Sequence, residues 1–333
     1  MSLPPSEIPL GAMRFNSDSQ KFEYWMGSAW MQIQTFSPNL DGGGRGICIP
    51  GDGSAGQVVN FFTIPTAGNA TDFGDASKQF YEMFGFACNT RAVFGGGNNG
   101  GDTDAVDYYT IASTGNYTDF GNSTFSGNQG AGHSNQTRGI SVGANSPGAN
   151  NVIQFFTIAS TGNGVDFGDS LFTGGYRDAA ASPTRGVYVG ARQGNPGPSK
   201  DEIEFITIAS TGNGQDFGDM TAGKFNTACA SDSTRMLIGG GYSSSNQTTI
   251  ETLEIAIKSN SVEYGDLTTA RQTSGASSDC VRYVAPGGSA TNVIDYVNIQ
   301  TGGTAADFGD LTVSGGSGAS TSNCHGGLGY WEY

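Results

Sequence analysis

The sequence is poor in charged residues and in the residue types on which most catalytic and metal sites depend. Only 14% of its 333 residues are charged, and it has just two histidines, His133 and His325. No second histidine stands at metal-ligand spacing from either one, so we expect both to be structural. The glycine-rich turns are not followed by the Gly-Lys-Ser/Thr of a phosphate-binding loop. The sequence therefore predicts a protein that is not an enzyme and needs no cofactor.

Basic residues are also scarce, with 15 Lys and Arg against 30 Asp and Glu and a net charge of −15. Such a charge repels a phosphate backbone and makes nucleic acid an unsuitable partner. No apolar run approaches the roughly 20 residues that span a bilayer. The N-terminal Met-Ser-Leu-Pro-Pro shows neither the basic nor the apolar region of a secretion signal. We expect neither membrane insertion nor a signal peptide.

The cysteines show no pattern of a metal site or of a complete disulfide framework. They are odd in number, and no two stand as Cys-x-x-Cys. We therefore expect small buried apolar side chains. The five are Cys48, Cys88, Cys229, Cys280 and Cys324.

What the sequence does contain is glycine, aromatic residues and self-similarity. Its 54 glycines punctuate short runs of β-branched and aromatic residues, which predicts many short strands joined by tight turns. An acidic residue, an aromatic and a glycine recur as one anchor, with the aromatics 47, 47, 50, 47 and 44 residues apart. The aromatic positions are Phe73, Phe120, Phe167, Phe217, Tyr264 and Phe308.

A second anchor, an arginine before an apolar strand, recurs at nearly the same spacing as the first. Its members are Arg45, Arg91, Arg138, Arg185, Arg235 and Arg282. A period near 47 residues is that of a blade, the four-stranded sheet from which a β-propeller is built. We therefore predict an all-β propeller.

Each repeat divides into four strands. Strand a carries small residues, as in Phe225–Ser231, because bulky side chains would clash where innermost strands converge. Strand b is apolar, as in Arg235–Gly241, and strand c is β-branched and aromatic, as in Ile203–Ile208. Strand d carries the acidic-aromatic-glycine anchor, as in Asp216–Asp219.

The chain ends decide the number of blades. Strand c begins with an apolar, a polar and usually an aromatic residue, and Phe22-Glu23-Tyr24 followed by Trp30 resembles a seventh copy. Residues 314–324 resemble a further strand a, and residues 328–333 a strand b, with His325 near the arginine position. We therefore predict seven blades, the last one closed by strands from both ends. The alternative is six blades plus a separate N-terminal β-hairpin.

The seven-blade reading divides the chain into an arm and a single propeller. Residues 1–10 form the arm, and residues 11–333 form the propeller. Within the propeller, residues 11–34 and 313–333 supply the closing blade, and residues 35–312 supply six repeats.

The order of apolar strand, double glycine, aromatic strand, turn and aromatic resembles a degenerate kelch repeat, with Phe or Tyr in place of most kelch tryptophans. Repeats such as Phe155–Asn163 leading to Asp166–Asp169 resemble repetitive virion proteins of marine phages, especially cyanophages. The stretch Gly11–Asn16, running on through Glu23 to Trp30, is similar to a β-hairpin of phage tail-fibre and appendage proteins.

These resemblances imply a structural protein located in the bacteriophage virion, a tail fibre, appendage or decoration component that acts by assembly and display. Its partners would be other virion proteins in a homo-oligomer or multi-copy assembly. The alternative is a host-attachment module that binds a surface glycan through the loops 97–103, 190–200 and 240–249.

The two anchors suggest three functional interpretations. Asp-Phe-Gly also occurs in the metal-binding motif of kinases, but six near-copies without the other kinase motifs indicate a turn-and-packing element. A propeller glycosidase would need paired carboxylates in a central pocket, whereas the repeated acids fall on predicted outer strands. The six arginines could form a ring that grips an anionic glycan or a subunit's carboxylates. We favour instead an internal ladder in which each arginine binds a neighbouring Asp or a backbone carbonyl.

Overall fold

The structure is a computed structural model that describes residues 8–17, 21–32, 44–51, 57–98, 100–128, 130–144, 150–192, 197–272, 275–316 and 318–329. Within these residues the chain forms 27 β-strands and a 3-10 helix at Gly326–Leu328. It divides into two compact units, Met1–Leu40 and Asp41–Tyr333. The described parts of the chain contain no helix that is long and apolar enough to cross a membrane.

The first unit holds a three-stranded antiparallel sheet. Its strands β1 (Met13–Asn16), β2 (Lys21–Trp25) and β3 (Trp30–Gln32) lie in that order. Antiparallel pairing places Met13 opposite Tyr24, and Tyr24 opposite Met31. The arm predicted at residues 1–10 lies almost wholly outside the described residues.

The second unit is built from four-stranded antiparallel sheets, here numbered as blades 1–6. Among the described residues there are six of them. Blade 1 contains β4 (Arg45–Ile49), β5 (Val58–Thr63), β6 (Thr71–Asp75) and β27 (Ala319–Ser322). Blade 2 contains β7 (Phe84–Ala87), β8 (Arg91–Gly95), β9 (Ala105–Thr110) and β10 (Thr118–Asn122). Blade 3 contains β11 (Ala131–Ser134), β12 (Arg138–Ala144), β13 (Asn150–Thr157) and β14 (Val165–Asp169).

The remaining blades follow the same order of strands a, b, c and d. Blade 4 contains β15 (Asp178–Ala181), β16 (Arg185–Arg192), β17 (Ser199–Thr207) and β18 (Gln215–Asp219). Blade 5 contains β19 (Ala228–Ser231), β20 (Arg235–Gly239), β21 (Thr249–Glu254) and β22 (Val262–Asp266). Blade 6 contains β23 (Ser277–Ser278), β24 (Arg282–Gly288), β25 (Thr291–Asn298) and β26 (Ala306–Gly315).

The prediction of a seventh blade closed by the N-terminal hairpin is wrong. The C-terminal strand β27 is indeed a strand a, but it pairs with β4, with Ala319 opposite Ile49 and Ser322 opposite Gly46. Strands β4, β5 and β6 already supply b, c and d of that blade, so only one strand position remained to be filled. The strand pairing agrees with the alternative of six blades and a separate N-terminal sheet.

The predicted C-terminal strand b is also wrong where the structure describes it. His325 does not occupy an arginine position but caps the 3-10 helix, its Nδ1 accepting a hydrogen bond from Gly327 N at 3.2 Å. A Cβ on Gly326 would lie 2.1 Å from the main-chain oxygen of Asp232. The close approach of this turn to blade 5 therefore requires glycine. Residues 330–333 of the predicted strand lie outside the described residues.

The innermost strands form a closed cycle. Each strand a contacts the strand a of the next blade, from β7 through β11, β15, β19 and β23 to β27, and β27 contacts β7 again. The strands are so close that a Cβ on Gly132 would lie 2.4 Å from the main-chain oxygen of Gly85. Small residues therefore predominate in this cycle, as the sequence predicts, although β7 carries Phe84 and Phe86. The all-β arrangement is consistent with a β-propeller.

The Asp-Phe-Gly anchor joins neighbouring blades. Phe73 of β6 is buried and meets Tyr109 of blade 2 edge-to-face, with 6.0 Å between ring centroids. Gly74 has φ +150°, and a Cβ there would lie 2.3 Å from the main-chain oxygen of Gly115. Gly115 N in turn donates to Phe73 O at 2.8 Å. The packing role predicted for the anchor is confirmed, although it lies at a bulge within strand d rather than in a turn.

Candidate functional site

The six repeated arginines form a ladder around the blades. Each is the first residue of its strand b, and each Nη1 donates to a main-chain oxygen at the end of strand c in the next blade. The acceptors, in order from Arg45, are Ile111 at 2.9 Å, Ile158 at 2.9 Å, Ile208 at 3.0 Å, Ile255 at 2.8 Å, Ile299 at 3.5 Å and Ile64 at 3.0 Å. The internal ladder favoured from the sequence is thus present.

Each guanidinium also covers an aromatic ring of its own blade. Arg45 lies over Phe61 with 4.8 Å from Cζ to the ring centroid, and Arg185 lies over Phe205 at 4.4 Å. The same contact joins Arg91 to Tyr108, Arg138 to Phe155, Arg235 to Tyr264 and Arg282 to Tyr296. Stacking of this kind favours arginine over lysine, because the planar guanidinium can stack and donate at once. Each arginine therefore contacts its own blade through the aromatic ring and the next blade through the hydrogen bond.

A second ladder, which the sequence reasoning did not assign, lies in the middle of strand c. One buried polar residue per blade accepts a hydrogen bond from a backbone N–H of the preceding blade, which lies in the connection after strand d in five cases and within β26 in the case of Thr312. The acceptor and donor residues are Asn60 and Thr312, Asp107 and Ser77, Gln154 and Thr124, Glu204 and Leu171, Glu251 and Thr221, and Asp295 and Thr268. The recurring polar residue inside an apolar strand was the signal for it.

Three of these strand c residues are carboxylates with buried cationic partners. Arg177 lies 3.2 Å from Glu204, Lys224 contacts Glu251, and Arg271 lies 3.0 Å from Asp295. Their side chains are almost completely buried, so each charge requires its partner. Among the described residues, Asp107 has no such ion pair. Burial raises the pKa of Asp107, against hydrogen bonds from Ser77 that lower it.

The innermost strands of all six blades enclose a central cavity of about 90 Å³. The 3-10 helix contacts β11, β15 and β19, and its N-cap residue His325 lines the cavity. His325 Nε2 lies 2.9 Å from the oxygen of Ala87 and 3.2 Å from Oγ of Ser134. The cavity walls are mainly small residues and backbone, so the space suits a few water molecules or a small solute rather than a sugar.

Burial shifts the pKa of three titratable groups at the cavity towards their uncharged forms. Burial raises the pKa of Asp178 to about 7, against hydrogen bonds from the backbone N–H groups of Ala179 and Cys229. Burial lowers the pKa of His133 to about 3, and that of His325 to about 4. The His133 ring packs edge-on to Tyr188, with 4.9 Å between centroids. The histidines predicted as structural thus lie in packed positions.

The repeated acids lie away from this cavity. The first acid of each anchor is exposed on strand d, at Asp72, Asp119, Asp166, Asp216, Glu263 and Asp307. Within the described ranges, no three His, Cys, Asp or Glu side chains lie close enough to hold a metal ion. All five cysteines are free, and four are buried while Cys324 is half-buried.

A cluster of aromatic and cationic side chains lies beside the cavity. Phe225 contacts Tyr176 and Tyr242 with ring centroids 5.4 Å and 5.3 Å apart. Arg192 lies over Phe225 at 4.9 Å. Tyr176 lines the cavity, and Tyr242 belongs to the predicted variable loop 240–249. Of the other two such loops, residue 99 and residues 193–196 lie outside the described parts.

No protein-family model matches this chain, and a search of curated proteins gives no significant match.

Proposed function

We propose that this chain is a six-bladed, kelch-like β-propeller that serves as a structural protein of a bacteriophage virion. The observation that carries the proposal is that most of the repeated polar residues join one blade to the next. The arginines and the strand c residues bind neighbouring blades, and the exposed anchor acids give an acidic exterior. A scaffold whose repeated polar side chains bind neighbouring blades is suited to assembly and display.

The virion assignment rests on the resemblance of the repeats to marine phage proteins and of residues 11–30 to phage appendage hairpins. The proposed location is a tail fibre, an appendage or a decoration of the capsid, in several copies and in contact with other virion proteins. Nucleic acid has no place in the proposal because the chain is acidic, and membrane insertion has none because no apolar run approaches the roughly 20 residues that span a bilayer.

The second candidate function is binding of a host-surface glycan. It is favoured by Tyr242 and Arg192, which are half-buried above the buried rings of Tyr176 and Phe225, since an aromatic ring beside a polar group is suited to a sugar ring. In this candidate the glycan binds outside the central cavity, which is too small for it.

The experiment that tests the proposal is immunogold labelling of purified phage particles. Label on the particles is the expected result, and label at a fibre tip would favour the glycan candidate. Particles that lack the protein would overturn the virion assignment. In this proposal the N-terminal arm, residues 1–10, attaches the chain to a neighbouring virion protein. Deletion of these residues should therefore abolish incorporation into particles.

A further inference from the structure

The three-stranded sheet of the first unit has one face made of large apolar side chains. Strand pairing brings Met13, Tyr24 and Met31 into one row across the sheet and Phe15 and Phe22 into the next. Their exposed fractions run from 37% for Tyr24 to 66% for Met13. Phe15 and Phe22 meet edge-to-face with 5.3 Å between centroids. We call these five side chains the apolar face.

The charges of this sheet lie on its other side. Glu23 accepts hydrogen bonds from Arg14 at 2.8 Å and from Asn16 at 2.9 Å. The Arg14 guanidinium lies over Trp30 at 4.2 Å. Because side chains alternate across a strand, the apolar face itself carries no charged residue. Whatever covers it must therefore be apolar and uncharged.

The size of the face matches half of a stable protein interface. Leu10 and Met26, exposed by 79% and 51%, extend it at the end of β2. At the areas usual for such side chains, the five residues of the apolar face together with Leu10 and Met26 expose about 800 Å². A standard interface buries about this area on each partner, whereas single exposed apolar residues on a monomer need no partner.

The distribution of charge favours association of two copies through the first unit, because nearly all of the net negative charge lies in the second unit. Residues 1–40 contain two basic and three acidic residues, a net charge of −1 in a chain whose total is −15. Residues 41–333 of two copies therefore repel one another, and exposed acids occupy each strand d. A sheet that is apolar on one face needs a second layer, and an identical sheet supplies one without any unpaired charge.

We propose that the apolar face is a self-association interface, on which two copies of the chain pack their N-terminal sheets face to face. This inference goes beyond the proposed virion role, because the purified chain either associates or does not, wherever it is located. The expected product is a two-fold dimer in which Tyr24, on the central strand, lies near the axis.

Sedimentation equilibrium of the full chain tests the proposal. We expect a mass twice the 34.3 kDa of one chain, with association strengthened by added salt, which screens the acidic surfaces. Phe22→Glu should give the monomer. The matched control is Ile257→Glu, which charges a residue of the second unit that is 65% exposed, and it should remain dimeric. A wild-type chain that is monomeric at all micromolar concentrations would overturn the proposal.

A cross-linking variant keeps the test decisive if Phe22→Glu unfolds the sheet. Tyr24→Cys should form a disulfide-linked dimer under mild oxidation, since the described native cysteines are buried or half-buried. Val281→Cys, at a residue that is 58% exposed in the second unit, is the control and should stay monomeric under denaturing conditions. Equal cross-linking of the two variants would contradict the interface.

Discussion

Arg282 of blade 6 donates a hydrogen bond of 3.0 Å from its Nη1 to the main-chain oxygen of Ile64 in blade 1. The two residues are 218 positions apart, yet the contact repeats the one that links every other blade to the next. The last blade is therefore joined to the first by the same side-chain contact as the rest. The pairing of β27 with β4 closes the same junction through backbone hydrogen bonds.

Removal of a ladder arginine should weaken the fold rather than a binding activity. In Arg138→Gln the main-chain oxygens of Ile208 and Ala209 lose their donor, and Phe155 loses its stacked guanidinium. We expect a loss of about 1–3 kcal/mol in the free energy of unfolding, measured by urea denaturation. Arg185→Gln should behave alike.

The control for these variants is Lys78→Gln, which removes an exposed positive charge outside the ladder. It should leave the urea midpoint nearly unchanged. If the arginine variants keep their stability but no longer attach to host cells or partners, the arginines form a binding ring rather than a structural ladder.

The glycine of the anchor should not tolerate a side chain. Gly168 has φ +148°, and a Cβ there would lie 2.5 Å from the main-chain oxygen of Gly212 in blade 4. We expect Gly168→Ala to cost about 1–3 kcal/mol through backbone strain and separation of the blades. The control is Gly162→Ala, where a Cβ meets no atom within 4 Å. Equal melting temperatures for the two variants would refute this explanation of the repeated glycine.

The unpaired buried carboxylate in blade 2 should limit stability at neutral pH. Burial raises the pKa of Asp107, so the folded state binds a proton more tightly than the unfolded state. Asp107→Asn should therefore stabilise the protein above that raised pKa. The advantage should shrink as the pH falls towards the unfolded value.

Blades 1 and 3 already carry amides, Asn60 and Gln154, at this position. In contrast, Glu204→Gln leaves the buried Arg177 without its counter-ion and should destabilise by about 3–5 kcal/mol. Thermal melting between pH 4 and 8 compares the two variants, and a destabilised Asp107→Asn at neutral pH would contradict the argument.

A buried histidine should make the fold sensitive to acid. Burial lowers the pKa of His133 to about 3, so the wild type loses stability as the pH falls from the unfolded value of 6.5 towards 3. The full loss is on the order of 4 kcal/mol. His133 packs on Gly186 as Phe86 packs on Gly139 one blade earlier. We therefore expect His133→Phe to fold normally and to unfold at a lower pH than the wild type, as followed by circular dichroism.

The sequence predicted most of the repeat but not its closure. Strands b, c and d could be located because their arginine, aromatic and glycine residues recur in each blade, although in blade 5 Arg235 covers Tyr264 of strand d rather than a ring of strand c. The pattern Phe22-Glu23-Tyr24 was misleading, because alternation of apolar and polar residues describes a small exposed sheet as well as a buried strand c. The ion pair of Lys224 and Glu251 was missed, although the same spacing of 27 residues separates Arg177 from Glu204.

The central structural claim is that β27 closes a ring of six blades without the N-terminal sheet. Thermal unfolding of residues 41–333, compared with residues 1–315, tests it most directly. The first chain should keep one cooperative transition within a few degrees of the full-length protein, because every strand of the six blades remains. The second lacks β27 and should lose that transition. If deletion of residues 1–40 abolishes cooperative unfolding instead, the six-blade closure is wrong.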